Sequence, residues 1–241
     1  SASPCGGSGA TLWARMDGVT DDAVPEAAAP DDAPDEREVG VGPWPGGRAA
    51  WPSDERYDPE LLEHGDRRNV LDEFRYWRLE AIVAELDTRR HPLHVAIENL
   101  EHDMNIGSVV RTANAFNVAG VHVIGRRRWN RRGAMVTDRY LHVHHHPDAA
   151  AFAAWAHEAG VAVVGIDNVP GSTPIETGTL PSPAVLVFGS EGPGLSPELQ
   201  AVCREIRHIT QYGSTRSINA GAAAAVAMFA WAAQHVTVPG P

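Results

Sequence analysis

The 241 residues suffice for one α/β core with extensions, and 43% hydrophobic with 21% charged residues is a globular average. The formal charge of −11 at pH 7 argues against indiscriminate nucleic-acid binding. All 20 basic residues are arginine, which removes phosphate loops and Schiff bases that need a lysine.

The charge is uneven along the chain. Residues 1–50 hold nine acids and three arginines among alanine, glycine and proline. Such a stretch buries too little apolar surface to offset its ordering entropy, so residues 1–55 are expected to be a disordered acidic tail. Cys5 and Cys203 are too few for a disulfide framework. The acidic start has no apolar leader core, and Ala220–Ala233 is too short and alanine-rich to span a bilayer. A cytoplasmic protein with no membrane association is expected.

Residues 56–92 read as a helical extension. Val70, Phe74, Trp77 and Ala81 recur at helical spacing from Pro59 to Arg90, and Pro92 is taken as the stop. Its arginines, from Arg67 to Arg90, offer a basic surface. From residue 93 to 241 short apolar strands alternate with helices. Strands are expected at His94–Glu98, Val121–Ile124, Val161–Ile166, Ala184–Phe188 and Ile206–Ile209. Helices are expected at Ile106–Phe116, Asp148–Ala159, Ser196–Val202 and Ser217–Gln234. Strands that are continuous apolar runs suit a parallel sheet covered on both faces by helices.

Ligands of such sheets bind beyond the carboxyl ends of the strands. No Gly-x-Gly-x-x-Gly follows the first strand, which disfavours a dinucleotide-binding oxidoreductase. Three later segments stand out: Asn105-Ile106-Gly107-Ser108-Val109-Val110-Arg111, the turn Gly189–Ser196, and Ile209-Thr210-Gln211-Tyr212-Gly213 leading to Ser217-Ile218-Asn219-Ala220. In this order they resemble the three motifs of the SPOUT superfamily, in particular the TrmH (SpoU) family of RNA ribose methyltransferases. The resemblance covers about residues 93–238.

The resemblance implies a parallel α/β fold with a C-terminal trefoil knot, a homodimer, S-adenosylmethionine as cofactor, and methylation of a ribose 2′-hydroxyl in tRNA or rRNA. It implies Asn105, Arg111, Glu191, Ser217 and Asn219 as catalytic positions, and Gly189, Gly194, Ile209 and Ile218 as cofactor contacts. Plainer roles exist for each: a helix cap for Asn105 or Ser217, a solvated turn carboxylate for Glu191, a structural ion pair for Arg111. Ile218, Thr210 and Tyr212 depart from the residues commonest in the family. A catalytically silent RNA-binding member of the fold is the alternative.

Arg126, Arg127, Arg128, Arg131 and Arg132 crowd around Trp129, where guanidinium forks suit phosphate and an indole suits an unpaired base. His142, His144, His145 and His146 lack the spacing and companion ligands of a metal site, so no metal is expected. A strand-end cluster near RNA, titrating around neutral pH, is expected instead.

Overall fold

A computed structural model describes residues 40–99, 105–190 and 192–237. The acidic residues 1–39 lie outside the described residues. Residues 40–55, expected to belong to the disordered tail, are instead ordered. Val41 pairs antiparallel with Asp66, and Trp44 sits edge-on to Tyr57 and Tyr76 at 5.7 and 5.2 Å.

The extension is not one helix. Helix α1 (Pro59–His64) stops at Gly65, whose φ of 92° suits glycine, and α2 (Leu79–Asp87) starts fourteen residues beyond Gly65. Between them the chain wraps around the fully buried carboxylate of Asp66. It accepts from the Arg68 side chain at 2.9 and 2.7 Å and from the Arg68 and Tyr76 amides at 3.0 and 2.9 Å. Burial pushes this carboxyl up, but the Arg68 guanidinium and the two amides outweigh it and hold it below the usual range. The apparent helical period arises because Phe74 and Trp77, in a 3₁₀ turn and loop, pack with Ile82 and Tyr140. Pro92 is no helix stop; it lies inside the first strand, where the pairing register shifts between His91 and His94.

Among the described residues the sheet has seven strands, β1 (His91–Asn99), β2 (Val118–Gly125), β3 (Val143–His146), β4 (Ala162–Ile166), β5 (Thr173–Pro174), β6 (Ala184–Phe188) and β7 (Glu205–His208). Every pairing is parallel, in the order β3-β2-β1-β6-β4-β7-β5. Helices α3 (Ile106–Ala115) and α6 (Ala220–His235) cover one face, over Val95, Ile97, Leu186 and Phe188. Helices α4 (Ala149–Glu158) and α5 (Pro197–Val202) cover the other, over Ala96, Val185 and Val187. Val185 and Val187 thus face one helical layer while Leu186 and Phe188 face the other, which explains the uninterrupted apolar strand.

Caps set the helix starts. Asp148 accepts from the Ala151 amide at 2.8 Å, and Ser196 from the Leu199 amide at 3.3 Å with Pro197 in the first turn. The last helix starts three residues later than expected, because Asn219, not Ser217, is its cap and accepts from the Gly221 and Ala222 amides at 2.9 and 3.3 Å.

Candidate active site

The carboxyl ends of β4, β6 and β7 and the start of α6 enclose a cavity of about 360 Å³, within the size range of small-ligand sites. Gly189, Gly194, Ile209, Ser217, Ile218 and Asn219 all line it. The second and third of the sequence segments therefore meet in one concavity, together with Ile166–Asn168 at the end of β4, while Asn105–Arg111 does not line it.

The Gly189–Ser196 turn folds tightly onto itself. Gly194 donates its amide to the Ser190 carbonyl at 3.0 Å. A methyl on Gly189 would overlap the Gly194 carbonyl, so glycine at 189 serves the turn's own backbone as well as any ligand. Gly192 and Gly194 have φ of 95° and 74°, and the space beside Gly194 holds the Asp167 carboxylate.

Two carboxylates anchor this turn and carry no motif signal. Asp167, directly after β4, accepts from the Leu195 amide at 2.8 Å and the Asn168 amide at 2.7 Å. Glu98, buried in β1, accepts from the Ser196 amide at 3.0 Å, and Ser190 donates its hydroxyl to the Glu98 carbonyl at 3.2 Å. Asp167 was findable from the rule that ligand sites lie beyond strand ends; Glu98 was hidden in an apolar strand. Glu191 falls outside the described residues.

His208, also at the cavity, has a defined tautomer. Ser172 gives its only hydroxyl hydrogen to the Val169 carbonyl at 2.7 Å. The His208 Nδ1, 2.9 Å from the Ser172 oxygen, must then be the donor. In the neutral ring Nε2 is left as an acceptor.

Asn219 links the cavity to the first motif. While its oxygen caps α6, its Nδ2 donates to the Asn105 Oδ1 at 2.8 Å. Asn105 stands at the N-cap position of α3 without capping it. Arg111, on α3, is exposed, and among the described residues it has no ion-pair partner. No buried charge needs compensation there. The guanidinium is available to a ligand.

The arginine stretch adjoins the same helix. Gly107 and Gly133 touch backbone to backbone, and a methyl on Gly107 would lie 2.7 Å from the Gly133 Cα. Asn99 holds the stretch at its base, donating to the Arg126 and Arg128 carbonyls at 2.7 and 2.9 Å. Arg126, Arg127, Arg128, Arg131 and Arg132 are exposed. Trp129 is half-buried against the core with the Arg131 guanidinium 5.6 Å from its ring, so cations dominate this surface. The second basic surface expected on the extension is largely consumed internally. Arg68 binds Asp66, Arg89 pairs with Glu73 at 2.7 Å, and Arg90 bridges Asp87 and the Tyr140 carbonyl.

The histidines form a different structure from the one expected. His122 of β2 stacks between strands, 3.1 Å from the His94 Nδ1 and 2.9 Å from the His146 Nε2. His144 stacks on it, and Trp155 of α4 lies over it at 3.8 Å between centroids. Burial, reinforced by the neighbouring rings, lowers His94 to about 4 and drives His122, His144 and His146 down as well. Titration around neutral pH is thus replaced by neutral rings. His142 leaves the stack and meets Asp87 at 2.8 Å. Among the described residues no three His, Cys, Asp or Glu side chains converge as a metal site.

Comparison with known proteins places these features. The model of the SpoU rRNA Methylase family matches residues 92–229. An uncharacterized tRNA/rRNA methyltransferase of Mycobacterium ulcerans is 34% identical over 165 residues, 66% of this chain and 52% of that protein. The chain thus spans about half the length of the curated relatives it matches. Among solved structures, the SpoU methyltransferase AviRb from Streptomyces viridochromogenes in complex with AdoMet gives a TM-score of 0.55 at 24% identity, covering 63% of this chain and 64% of that one. A structure described as giving insight into the 2-OH methylation of C/U34 on tRNA gives 0.53 at 26% identity, covering 60% and 96%.

Proposed function

The chain belongs to the SpoU rRNA Methylase family, and from that premise we propose that it transfers a methyl group from S-adenosylmethionine to a ribose 2′-hydroxyl of tRNA or rRNA. The observation that carries this reading is the Asn219–Asn105 hydrogen bond, which joins a small-molecule cavity to the helix bearing Arg111, exposed and without an ion-pair partner among the described residues. The AviRb complex with the cofactor and the 2-OH methylation described for the tRNA-modifying neighbour support it.

The cavity fits the cofactor on its own chemistry. Its size suits a nucleoside-sized ligand, and Gly192, with nothing within 4 Å of where a Cβ would sit, leaves main chain open at its edge. Bound S-adenosylmethionine supplies an electrophilic methyl. Gly189, Gly194, Ile209 and Ile218 would hold its adenosyl part, with Asp167 and Glu98 fixing the turn from behind. Ser217, Asn219, Asn105 and Glu191 would orient the ribose against it. Arg111 would engage an RNA phosphate and assist loss of the 2′-hydroxyl proton. Free guanidinium has a pKa above about 12, so that assistance acts through the phosphate and the local field. Arg126–Arg128, Arg131 and Arg132, with Trp129 at their edge, would steer the RNA backbone.

A homodimer is part of this reading. Ala222, Val226, Phe229 and Ala233 are exposed and follow one face of α6, with Phe229 65% accessible, which suits burial against a second copy. A trefoil knot is supported by the placement of β7 between β4 and β5, followed by return to α6 on the opposite face from α5. Residues 93–241 would be the catalytic domain, working in the cytoplasm, where such RNA is met. No helix among the described residues is long and apolar enough to cross a membrane.

The test is transfer of labelled methyl from S-adenosylmethionine to purified tRNA and rRNA, then mapping of the modified ribose. Label on a 2′-oxygen is expected. RNA binding with no transfer to either class would favour the silent module, and label on a base would overturn the ribose assignment.

A further inference from the structure

Beside the cavity, the short strand β5 ends after Pro174, yet its contact with β7 and the chain that follows continues. Ile175 donates its amide to the His208 carbonyl at 2.8 Å. Arg207 ties the far end of the 174–177 turn, donating to the Thr177 carbonyl at 2.6 Å. Beside these ties, Thr210 donates to no backbone carbonyl among the described residues. Its amide and its hydroxyl each donate to one oxygen of the Glu176 carboxylate, both at 3.1 Å.

A side chain therefore supplies the rung that the strand lacks. The residues flanking Thr210, Ile209 and Gln211, line the cavity. The buried Gln211 side-chain oxygen has no partner among the described residues, leaving an acceptor on this wall for a ligand donor. Burial pushes the Glu176 carboxyl up, but its backbone bond, the Thr210 donors and nearby His208 lower it overall, so it is ionised at neutral pH. A charged acceptor makes the stronger hydrogen bonds.

We propose that Glu176 is a positioning residue that sets the Ile209–Gln211 wall of the cavity and so determines affinity for S-adenosylmethionine without touching it. This rests on the reading of the cavity as the cofactor site. None of the three motifs contains Glu176; it acts on the third from outside.

The experiment measures cofactor binding by calorimetry and steady-state methylation with the full chain. Glu176→Ala is expected to raise the Kd and KM for S-adenosylmethionine about ten-fold. With saturating cofactor, kcat should stay within about three-fold, and KM for RNA should not move. Glu176→Gln, which keeps one acceptor for the amide and a donor for the hydroxyl oxygen, should recover most of the affinity. Thr210→Val should cost about three-fold and combine non-additively with Glu176→Ala. Should Glu176→Ala not fold, Thr210→Val carries the test alone, and unchanged affinity there overturns the proposal.

Ile218→Glu, in the cavity wall, separates the two ideas. If Ile218→Glu weakens binding and Glu176→Ala does not, the strut role fails and the cavity assignment stands. If neither changes binding, the cavity assignment fails with it. Loss of kcat and thermal stability at unchanged cofactor Kd would also overturn the proposal by reducing Glu176 to a general structural contact.

Discussion

The molecule has two concentrations of polar groups in an otherwise apolar sheet, and they are built in opposite ways. At the carboxyl ends of β4, β6 and β7, loops with glycines surround an open cavity, and the carboxylates of Asp167 and Glu98 sit behind the loop they hold. On β1, β2 and β3, His122 meets His94 and His146 ring nitrogen to ring nitrogen beneath Trp155, and His144 stacks on it. The histidines are the more conspicuous in the sequence, yet His122 at their centre is buried and spends both ring nitrogens on its neighbours. The cavity is inconspicuous, yet it leaves groups unclaimed. Polar density alone does not make a site; concavity with unspent hydrogen-bonding capacity does.

The sharpest attempt to break this comparison is Arg111→Ala. Methyl transfer should fall by more than about a thousand-fold while cofactor affinity stays within about three-fold, since the side chain is exposed on α3 and does not line the cavity. Parallel calorimetry and label transfer check both halves, and a large loss of cofactor affinity in the folded variant would contradict the assigned role. Next in size is Gly189→Ala, whose methyl would overlap the Gly194 carbonyl. Opening the turn should weaken cofactor binding by about a hundred-fold and lower stability by about 2 kcal/mol, read by calorimetry and thermal melting.

The histidine region should respond to acid instead. Its rings have lowered pKa values in the fold, so below the unfolded value of about 6.5 the unfolded chain takes up protons first and stability falls with pH. For His94 the loss runs from about 6.5 down to about 4 and then levels. For the fully buried His122, stability should drop by about 2 kcal/mol between pH 7 and pH 5. Denaturant melts across that range check this; a flat profile would mean the rings are not neutral in the fold. The smallest effect is Asn219→Ala, which removes the α6 cap and should cost about 1 kcal/mol, with a further loss of kcat through release of Asn105. Equal activity in that variant would detach the first motif from the cavity.

The sequence announced the parts of this architecture that are local. Ala184–Phe188 is a strand at the expected residues, and Asp148 and Ser196 cap the helices they precede. It concealed what depends on distant partners. The period from Val70 to Ala81 mimics a helix because Phe74 and Trp77 serve a small separate core. β3 was hidden because it is an edge strand, exposed at three of its four residues, and carries histidines in place of an apolar run. The bonds between Glu98 and Ser196 and between Asn105 and Asn219 span 98 and 114 residues. Periodicity within a window does not encode them.

The contact between Gly107 and Gly133 has a mechanical consequence. With no side chain on either residue, nothing compressible separates the first turn of α3 from the turn that carries Arg131 and Arg132. A pull on that turn is borne by a stiff backbone bearing one and two residues from the arginines. The same contact acts as a ruler: it fixes the separation of the backbone that carries those two cations from the backbone of α3. Whatever length of polyanion spans that distance is measured against backbone.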